Sequence, residues 1–354
     1  MPAPTPYRLY VATGDAVARV DDLLGDAPAV TIAAEGSGTQ CVAADPGDPD
    51  RVFAGTFDDG LLRSRDGGAS WERVGEGDIP HGRVMSVAVS PSHRANGLGV
   101  VYAGTEPSAL YRSDDGGATW RDFPALTELP SAPTWSFPPR PWTSHVRWIA
   151  PHHADPTLLF VGIELGGVMR STDGGETWED RKPGSQPDSH ALATHPTAHD
   201  HVYEAAGGGV AWSRDRGASW EWADEGMDRH YAWGLAVDPV DPELWYVSAS
   251  IGPMQAHGRR GDARAVLSRR RADTPWEPLG TPNGTGTGTG TPLHHPHAEM
   301  PYALLTLPDR PNLLVVGLRG GGLLVSDDAG DHFRPIALDR PVPAILALSA
   351  VTGG

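Results

Sequence analysis

The stretch Ser64-Arg65-Asp66-Gly67-Gly68-Ala69-Ser70-Trp71 decides the fold, because its pattern Ser-x-Asp-x-Gly-x-x-aromatic returns along the chain. Four further copies span residues 113–120, 171–178, 213–220 and 326–333. A sixth copy from Ser268 to Trp276 keeps the serine and the tryptophan but lacks the aspartate and the glycine. Asp and Gly at this spacing indicate a turn, in which the carboxylate accepts backbone N–H groups and glycine permits a positive φ. We therefore predict that the repeated residues are structural.

This repeat resembles the Asp-box, or BNR, repeat of sialidase-like and WD40/YVTN/BNR-like β-propellers. The resemblance covers nearly the whole chain and implies an all-β propeller. The same box occurs in hydrolases, receptors and assembly factors, so the resemblance implies a fold more strongly than a function.

The apolar runs between the boxes predict four short strands per unit: an inner strand A, then B, then C leading into the box, then D after it. Inner strands start near residues 40, 85, 145, 190, 232, 302 and 344, which predicts seven blades. The N-terminal segment supplies strands B, C and D without an A, whereas residues 344–350 supply only an A. We predict that residues 344–350 pair with residues 8–12 and close the ring, leaving no exposed edge.

The composition predicts one propeller domain over residues 1–354, because 44 glycines and 34 prolines make the chain rich in turns. The loop at about residues 278–299 contains a Gly/Thr tract at 284–290 and is predicted to be mobile. Residues 124–144, rich in proline and tryptophan, are predicted to form an ordered cover over the channel mouth.

Charge and targeting signals restrict the partners. The net charge of −17 argues against nucleic acid or an anionic membrane as a partner. The sequence shows no bilayer-length apolar stretch and no secretory signal, and its single cysteine, Cys41, is predicted to be a core residue. These features favour a cytoplasmic protein. The basic cluster at residues 259–271 is interpreted as a solvated loop and strand face.

In a propeller the D-to-A and B-to-C connections share the face on which the central channel opens. Near this mouth the repeats differ in chemical type, so core packing does not dictate these residues and they are candidates for ligand binding. The densest polar group is His145, Arg147, Glu164, Asp188 and His190, with Arg83, Tyr231 and Glu299 contributed by neighbouring blades. Aligned on the proline that ends strand A, His145 and His190 occupy equivalent positions. On the opposite face, the following histidines are interpreted as solvent-exposed turn residues: His93, His152, His153, His195, His199, His201 and His332.

The polar group allows three interpretations. His145, His190 and Glu164 could bind a divalent metal, because imidazole and carboxylate are common ligands of zinc and of non-haem iron. The same groups could act as acid and base toward a bound substrate. They could also be hydrogen-bonded lining of a water-filled channel. No catalytic residue is assigned.

The family resemblance adds functional expectations. Sialidases hold a carboxylate with three arginines and use a Tyr–Glu nucleophile, for which Arg83, Arg147, Arg319, Tyr231 or Tyr302, and Glu299 are available here without a motif match. Asp-box xyloglucan hydrolases use two carboxylates, which could come from Glu106, Glu164, Asp188 and Glu299. In size the chain is more similar to the seven-bladed Asp-box assembly factors of photosystems.

We therefore predict a propeller that binds a small molecule, a glycan-like ligand or a protein at the channel mouth. The alternative is an enzyme at the same mouth, either a glycosidase-like hydrolase or a metal-dependent lyase or oxygenase.

Overall fold

The computed structural model describes residues 6–258, 261–282 and 294–353. Over these ranges the chain forms seven antiparallel sheets, which we number as blades 1 to 7 from the N-terminus. The inner strand of each blade contacts the inner strand of the next, and blade 7 contacts blade 1. The predicted seven-bladed all-β propeller is confirmed.

Strands are given in the order A to D. Blade 1 comprises Ala347–Thr352, Tyr7–Ala12, Val17–Asp21 and Ala29–Ala33; blade 2, Thr39–Asp45, Asp48–Thr56, Leu61–Ser64 and Glu72–Val74; blade 3, Arg83–Ala95, Leu98–Glu106, Leu110–Ser113 and Arg121–Asp122. Blade 4 comprises Val146–Pro151, Leu159–Ile163 and Gly167–Ser171, with an isolated bridge between Arg170 and Glu179 in place of strand D. Blade 5 comprises Ser189–Thr194, Val202–Ala206, Gly209–Ser213 and Glu221–Trp222; blade 6, Tyr231–Val237, Leu244–Ser250, Val266–Arg271 and Glu277–Pro278; blade 7, Pro301–Leu307, Arg310–Leu318, Leu323–Ser326 and Arg334–Pro335.

The ring closes through the two ends of the chain, as predicted. Strand Ala347–Thr352 pairs antiparallel with Tyr7–Ala12, from the Tyr7–Thr352 pair to the Ala12–Ala347 pair. The C-terminal strand is thus the inner strand of the blade that the N-terminus begins, and Tyr7–Ala12 is paired on both sides.

The Asp boxes hold the turn after strand C in place through hydrogen bonds from serine and aspartate side chains. In blade 4, Ser171 Oγ donates to Asp173 Oδ1 at 2.8 Å and accepts the Gly175 N–H at 2.8 Å. Asp173 Oδ1 accepts the N–H of Thr177 at 2.9 Å, and the box indole, Trp178, is buried. The other four complete boxes repeat the serine–aspartate bond and the aspartate–backbone bond, which confirms their predicted structural role.

Neighbouring blades approach so closely that strand B needs small residues. A Cβ placed on Gly104 of blade 3 would lie 2.4 Å from Val146 Cγ1 of blade 4 and 2.4 Å from Ser86 Oγ. Contacts at that distance are far inside van der Waals separation, so any larger side chain must displace an inner strand.

Arginines also connect the blades. Arg63 Nη1 of blade 2 donates to Gly116 O in the box of blade 3 at 2.8 Å, and Arg269 Nη1 of blade 6 donates to Ala329 O of blade 7 at 2.8 Å. Arg269 and Arg270 are each only 8% exposed. The interpretation of this basic cluster as solvated is therefore wrong for these two residues, because their guanidinium groups are used as inter-blade donors. Residues 259 and 260 of the cluster lie outside the described residues.

Two histidines predicted to be exposed are instead buried. His152 Nδ1 accepts the Asp155 N–H at 2.9 Å and its Nε2 contacts His199 O at 2.7 Å; His195 makes the same bonds to the Ala198 N–H and to Asp238 O, each at 2.9 Å. Each ring thus satisfies its own turn and reaches the next blade. The prediction of exposure is wrong for these two, whereas His153, His199 and His332 are exposed.

The connections contain the few helices. Residues 124–144 include the 3₁₀ turns Pro124–Leu126 and Ala132–Thr134, and bury Leu126, Leu129 and Trp135, in agreement with an ordered cover. The α-helix Pro253–Ala256 lies in the B-to-C connection of blade 6. Thr281–Pro282 and His294–His295 form a short parallel pair. The predicted mobility of residues 284–290 concerns a segment outside the described residues.

In the described part of the chain, no helix has the length and apolarity required to span a membrane.

Candidate functional site

A cavity of about 1060 Å³ occupies the channel mouth on the predicted face, and all seven blades contribute to its wall. We call it the mouth cavity. Its polar and aromatic lining includes Asp15, Gln40, His145, Arg147, Glu164, Asp188, Tyr231, Trp233, His257, Glu299, Tyr302 and Arg319. Its size fits a small-molecule ligand.

A β-bulge in each inner strand of blades 2 to 7 positions the lining. The pairing with strand B shifts register across one unpaired residue in each strand, which is Gln40, Met85, Arg147, His190, Trp233 or Tyr302. Bulges re-aim a side chain and are frequent beside functional sites. The residues that differ in chemical type between repeats are therefore the unpaired bulge residues, whose side chains need not follow the alternation of the strand.

The bulges correct one predicted equivalence. The unpaired residue of blade 4 is Arg147, so Arg147 is equivalent to His190, and His145 is equivalent to Asp188. The alignment on proline fails here because Pro151 precedes the turn histidine His152, whereas Pro196 follows the equivalent His195. His145 and His190 therefore lie near each other without being repeat-equivalent.

Glu164, Asp188 and His190 form a tight group that we call the carboxylate–imidazole cluster. One ligand atom from each lies within 4.8 Å of the other two. Asp188 Oδ2 is 3.5 Å from His190 Nε2, and Asp188 Oδ1 accepts the Leu165 N–H at 3.1 Å. Burial favours a neutral Glu164, but the His145 hydrogen bond and the nearby imidazoles and Arg147 lower the pKa of Glu164 to about 2. Glu164 is thus an ionised carboxylate in a nearly closed site.

The two histidines play different parts in this group. His190 is fully buried, and its Nδ1 lies 2.6 Å from Ala232 O, so this nitrogen carries the proton. Its Nε2 has no hydrogen-bond partner among the described residues. His145 Nε2 instead lies 3.1 Å from Glu164 Oε2, and Phe137 packs edge-on against its ring. His145 thus orients Glu164, and His190 offers a free nitrogen.

Beside the cluster lies an aromatic wall, formed by Tyr231, Trp233, His257 and Tyr302. Tyr231 Oη is 2.7 Å from His257 Nε2, and Tyr302 Oη is 3.1 Å from His257 Nδ1. Burial lowers the pKa of His257 to about 4, so its ring is neutral at physiological pH and holds one proton. One tyrosine must then donate to the ring and the other must accept from it, which leaves one phenol proton for a ligand. Burial also raises the pKa of Tyr231, which disfavours the nucleophilic phenolate that a sialidase would require.

Two arginines line the mouth cavity without an acidic partner among the described residues. Arg147 stacks on Trp233 with Cζ 4.4 Å from the ring centroid, and Arg319 stacks on Tyr302 at 4.9 Å. Neither forms an ion pair with any residue that the structure describes. Stacking fixes each guanidinium plane while leaving N–H donors for an anion.

Arg83 lies in a different place from the other candidates. It lines a second cavity of about 540 Å³, where it pairs with the buried Glu106 at 3.1 Å. Arg140 also binds Glu106, at 2.5 Å. Six of the predicted site residues line the mouth cavity: His145, Arg147, Glu164, Asp188, Tyr231 and Glu299. His190 is buried behind the cavity wall. Arg83 lines the second cavity and is thus separated from Arg147 and Arg319.

His257 is one of the lining residues that the site predicted from sequence lacks. It follows the helix Pro253–Ala256 in the long B-to-C connection of blade 6, a connection that has no counterpart in the other repeats. The length of that insertion was the available signal, since repeat alignment cannot position a residue that only one repeat contains.

Comparison with known proteins agrees with this architecture. A family model described as "BNR/Asp-box repeat" matches residues 169–180, which contain the box of blade 4. The chain is a seven-bladed β-propeller built from BNR/Asp-box repeats. No curated protein matches it.

Solved structures share the fold at low identity. A GH74 xyloglucanase from Xanthomonas campestris superposes with a TM-score of 0.63 at 18% identity, covering 97% of this chain and 52% of that chain. A GH74 enzyme from Niastella koreensis gives 0.63 at 16% identity, covering 98% and 55%. YCF48, solved bound to a D1 peptide, gives 0.53 at 16% identity, covering 94% and 86%. The chain spans about half the length of the two GH74 structures, and these identities establish the fold alone.

Proposed function

We propose that this propeller binds a small organic anion in the mouth cavity, with the anionic group on Arg147 and Arg319 and a ring against the aromatic wall. The observation that carries the proposal is that these two stacked arginines form no ion pair with a described residue, in a protein of net charge −17. Elsewhere many of the described arginines are neutralised by acids, as Arg83 and Arg140 are by Glu106.

The aromatic wall supports a ligand with a ring. Trp233 lies 5.1 Å from Tyr302 and 4.4 Å from His257 between ring centroids, so the three rings form one continuous surface. The rings are inclined to one another, at interplanar angles of 46° for Trp233 with Tyr302 and 72° for Trp233 with His257. Aromatic side chains of this kind can pack against a sugar-like or aromatic ring, and the phenol hydroxyls beside them can hydrogen-bond ligand oxygens. A sugar acid or a sugar phosphate combines both features.

A glycoside hydrolase is the second candidate, because Asp15, Asp188 and Glu299 line the same cavity as Glu164. Two-carboxylate hydrolysis needs one protonated carboxyl and one carboxylate. The low pKa of Glu164 suits only the ionised role, so the acid would have to be one of the other three. The neighbours named as GH74 enzymes have the same fold, which makes their substrates reasonable to assay.

The test is calorimetric titration with glucuronate, glucose 6-phosphate and neutral glucose, on protein treated with a chelator. We expect the two anions to bind and glucose to bind at least about 10-fold more weakly, because charged hydrogen bonds contribute about 1.5–3 kcal/mol each. Arg147→Gln and Arg319→Gln should each weaken anion binding about 10- to 100-fold.

Arg83→Gln is the matched control, since Arg83 opens on the same face but lines the other cavity. It should leave anion affinity unchanged. Equal binding of glucose and its charged counterparts, or equal loss in the three arginine variants, would contradict the proposal.

A further inference from the structure

The carboxylate–imidazole cluster brings one histidine nitrogen close to two carboxylates. His190 Nδ1 donates to Ala232 O, which leaves Nε2 without a hydrogen-bond partner among the described residues and 3.5 Å from Asp188 Oδ2. Glu164 adds a second carboxylate within 4.8 Å. Three possible ligand atoms thus converge in a largely buried place beside Arg147, and a cation bound between them would offset the repulsion between the two carboxylates.

We propose that Glu164, Asp188 and His190 bind one divalent transition-metal ion, and that this ion holds the anionic ligand together with Arg147. The second part rests on the proposed function; the first part does not. Imidazole with two carboxylates suits Zn²⁺ or Mn²⁺ better than Ca²⁺ or Mg²⁺, which prefer oxygen ligands alone.

The hydrogen bonds around these three side chains resemble those found around a protein-bound metal. The Nδ1–H bond to Ala232 O fixes the tautomer of His190, and the Leu165 N–H and His145 orient the two carboxylates. Such bonds to the remaining ligand atoms are typical around protein-bound metals. Glu164 and Asp188 line the mouth cavity, so the ion's remaining coordination positions would face a ligand there.

The first experiment uses metal alone. Untagged protein is dialysed against EDTA, titrated with ZnCl₂ or MnCl₂ and assayed by calorimetry and elemental analysis. We expect one ion per chain. Glu164→Gln, Asp188→Asn and His190→Asn should each weaken binding at least about 10-fold, and His145→Ala about 10- to 100-fold as a positioning residue. Asn at position 190 can still donate to Ala232 O, so the fold is retained while the free nitrogen is lost.

Gly207→Ala tests the geometry without removing a ligand. A Cβ at Gly207 would lie 2.0 Å from Asp188 Oδ2, so the carboxylate has to move away from the cluster. We expect weaker metal binding in this variant at nearly unchanged melting temperature, because the displaced atom is the end of a flexible side chain.

Two controls distinguish the cluster from other acids and histidines. Glu299→Gln removes a carboxylate of the same cavity that is outside the cluster, and His199→Ala removes an exposed imidazole. Both should keep the wild-type metal affinity. The metal proposal is overturned if wild-type protein binds less than stoichiometric metal, or if the controls lose as much as the cluster variants.

The competing explanation is a doubly protonated His190, whose imidazolium would itself offset the repulsion between the two carboxylates. NMR of the metal-free protein with labelled histidine reports this state directly. An imidazolium at pH 7.5 that persists in the presence of Zn²⁺ would overturn the metal site. In that case, anion binding by the chelated protein through Arg147 and Arg319 would still support the proposed function. Metal binding without anion binding would overturn the proposed function and leave the metal site intact.

Discussion

Glu204 is a fully buried carboxyl group on strand B of blade 5, where its Oε2 accepts the Gln186 N–H at 2.9 Å. Burial is the main cause that raises its pKa to about 8. The folded protein therefore keeps Glu204 protonated through a range in which the unfolded chain ionises it. By linkage, this group stabilises the fold fully below its ordinary pKa, and that contribution is lost as the pH rises toward 8.

We expect Glu204→Gln to remove this loss, since glutamine keeps the acceptor for Gln186 without a titratable proton. Thermal melts of both proteins at pH 5, 6, 7 and 8 provide the measurement. The free energy of unfolding should differ between the proteins by about 1–3 kcal/mol more at pH 8 than at pH 5, in favour of the variant. A constant difference across this range would show that Glu204 does not titrate there.

The aspartate of an Asp box changes the stability of the fold with pH in the opposite direction. Hydrogen bonds from Ser70 and Ser64 lower the pKa of Asp66 to about 2. A lowered pKa stabilises the fold above the ordinary value of the carboxyl group, and this contribution is lost as the pH falls toward 2.

Asp173→Ala tests the structural role of a box. It removes the acceptor for the Thr177 N–H and the partner of Ser171, so stability should fall by about 1–3 kcal/mol in denaturant titrations. Anion and metal binding at the mouth cavity should persist in the folded variant. Loss of binding in a well-folded Asp173→Ala protein would contradict the assignment of the boxes and the cavity to opposite faces.

At the end of strand A, blades 5 and 6 use the equivalent position to bond to the following blade in two chemical ways. His195 presents a donor nitrogen to Asp238 O, whereas the equivalent Asp238 in blade 6 presents Oδ2 to the Asn312 N–H of blade 7. Both residues also accept N–H groups of their own turn. The choice of His or Asp therefore follows from whether the next blade offers a carbonyl or an N–H.

His195→Asp should separate the two contributions. Aspartate can still accept the turn N–H groups, but it cannot donate to Asp238 O and would place a charge beside that carbonyl. We expect a loss of about 1–3 kcal/mol in the free energy of unfolding, and little change for His199→Ala, whose ring is exposed. Equal effects of the two substitutions would argue that the buried bond contributes nothing.

The order of the strands could be predicted from the sequence, whereas the alignment of the site residues and some buried contacts could not. Box spacing indicates the order of strands within a blade, because each box closes the C–D turn of its own blade, and the seven inner-strand starts gave the blade count. The equivalence of His145 with His190 failed because the alignment used proline, which precedes the turn histidine in blade 4 and follows it in blade 5; the bulges show that Arg147 is the residue equivalent to His190. Burial of His152, His195 and Arg269 was also invisible, since each is buried by a partner in another blade.

At the scale of the whole molecule, Gly104 shows how little free space separates neighbouring blades. Gly104→Ala places a Cβ 2.4 Å from Val146 Cγ1 and 2.6 Å from Val146 Cβ, so rotation of the valine side chain cannot remove the overlap. We expect a loss of about 1–3 kcal/mol in denaturant titrations, the range typical of overpacked cores. An unchanged midpoint would mean that the ring expands without cost.

Ring closure is the one feature on which every blade depends. Strand Ala347–Thr352 supplies the inner strand of blade 1 and also contacts the inner strands of blades 2 and 7. Deleting residues 342–354 would expose the backbone groups of Tyr7–Ala12 at the channel and remove the inner strand that the inner strands of blades 2 and 7 contact in blade 1. We expect aggregation, or a melting temperature lower by more than about 10 °C, on the order of several kcal/mol for a domain of this size. Deleting only residues 353–354 keeps the six-residue pairing and should melt like the full chain. If the longer deletion melted like the shorter one, the ring would be held by its blades individually and not by the joining of its two ends.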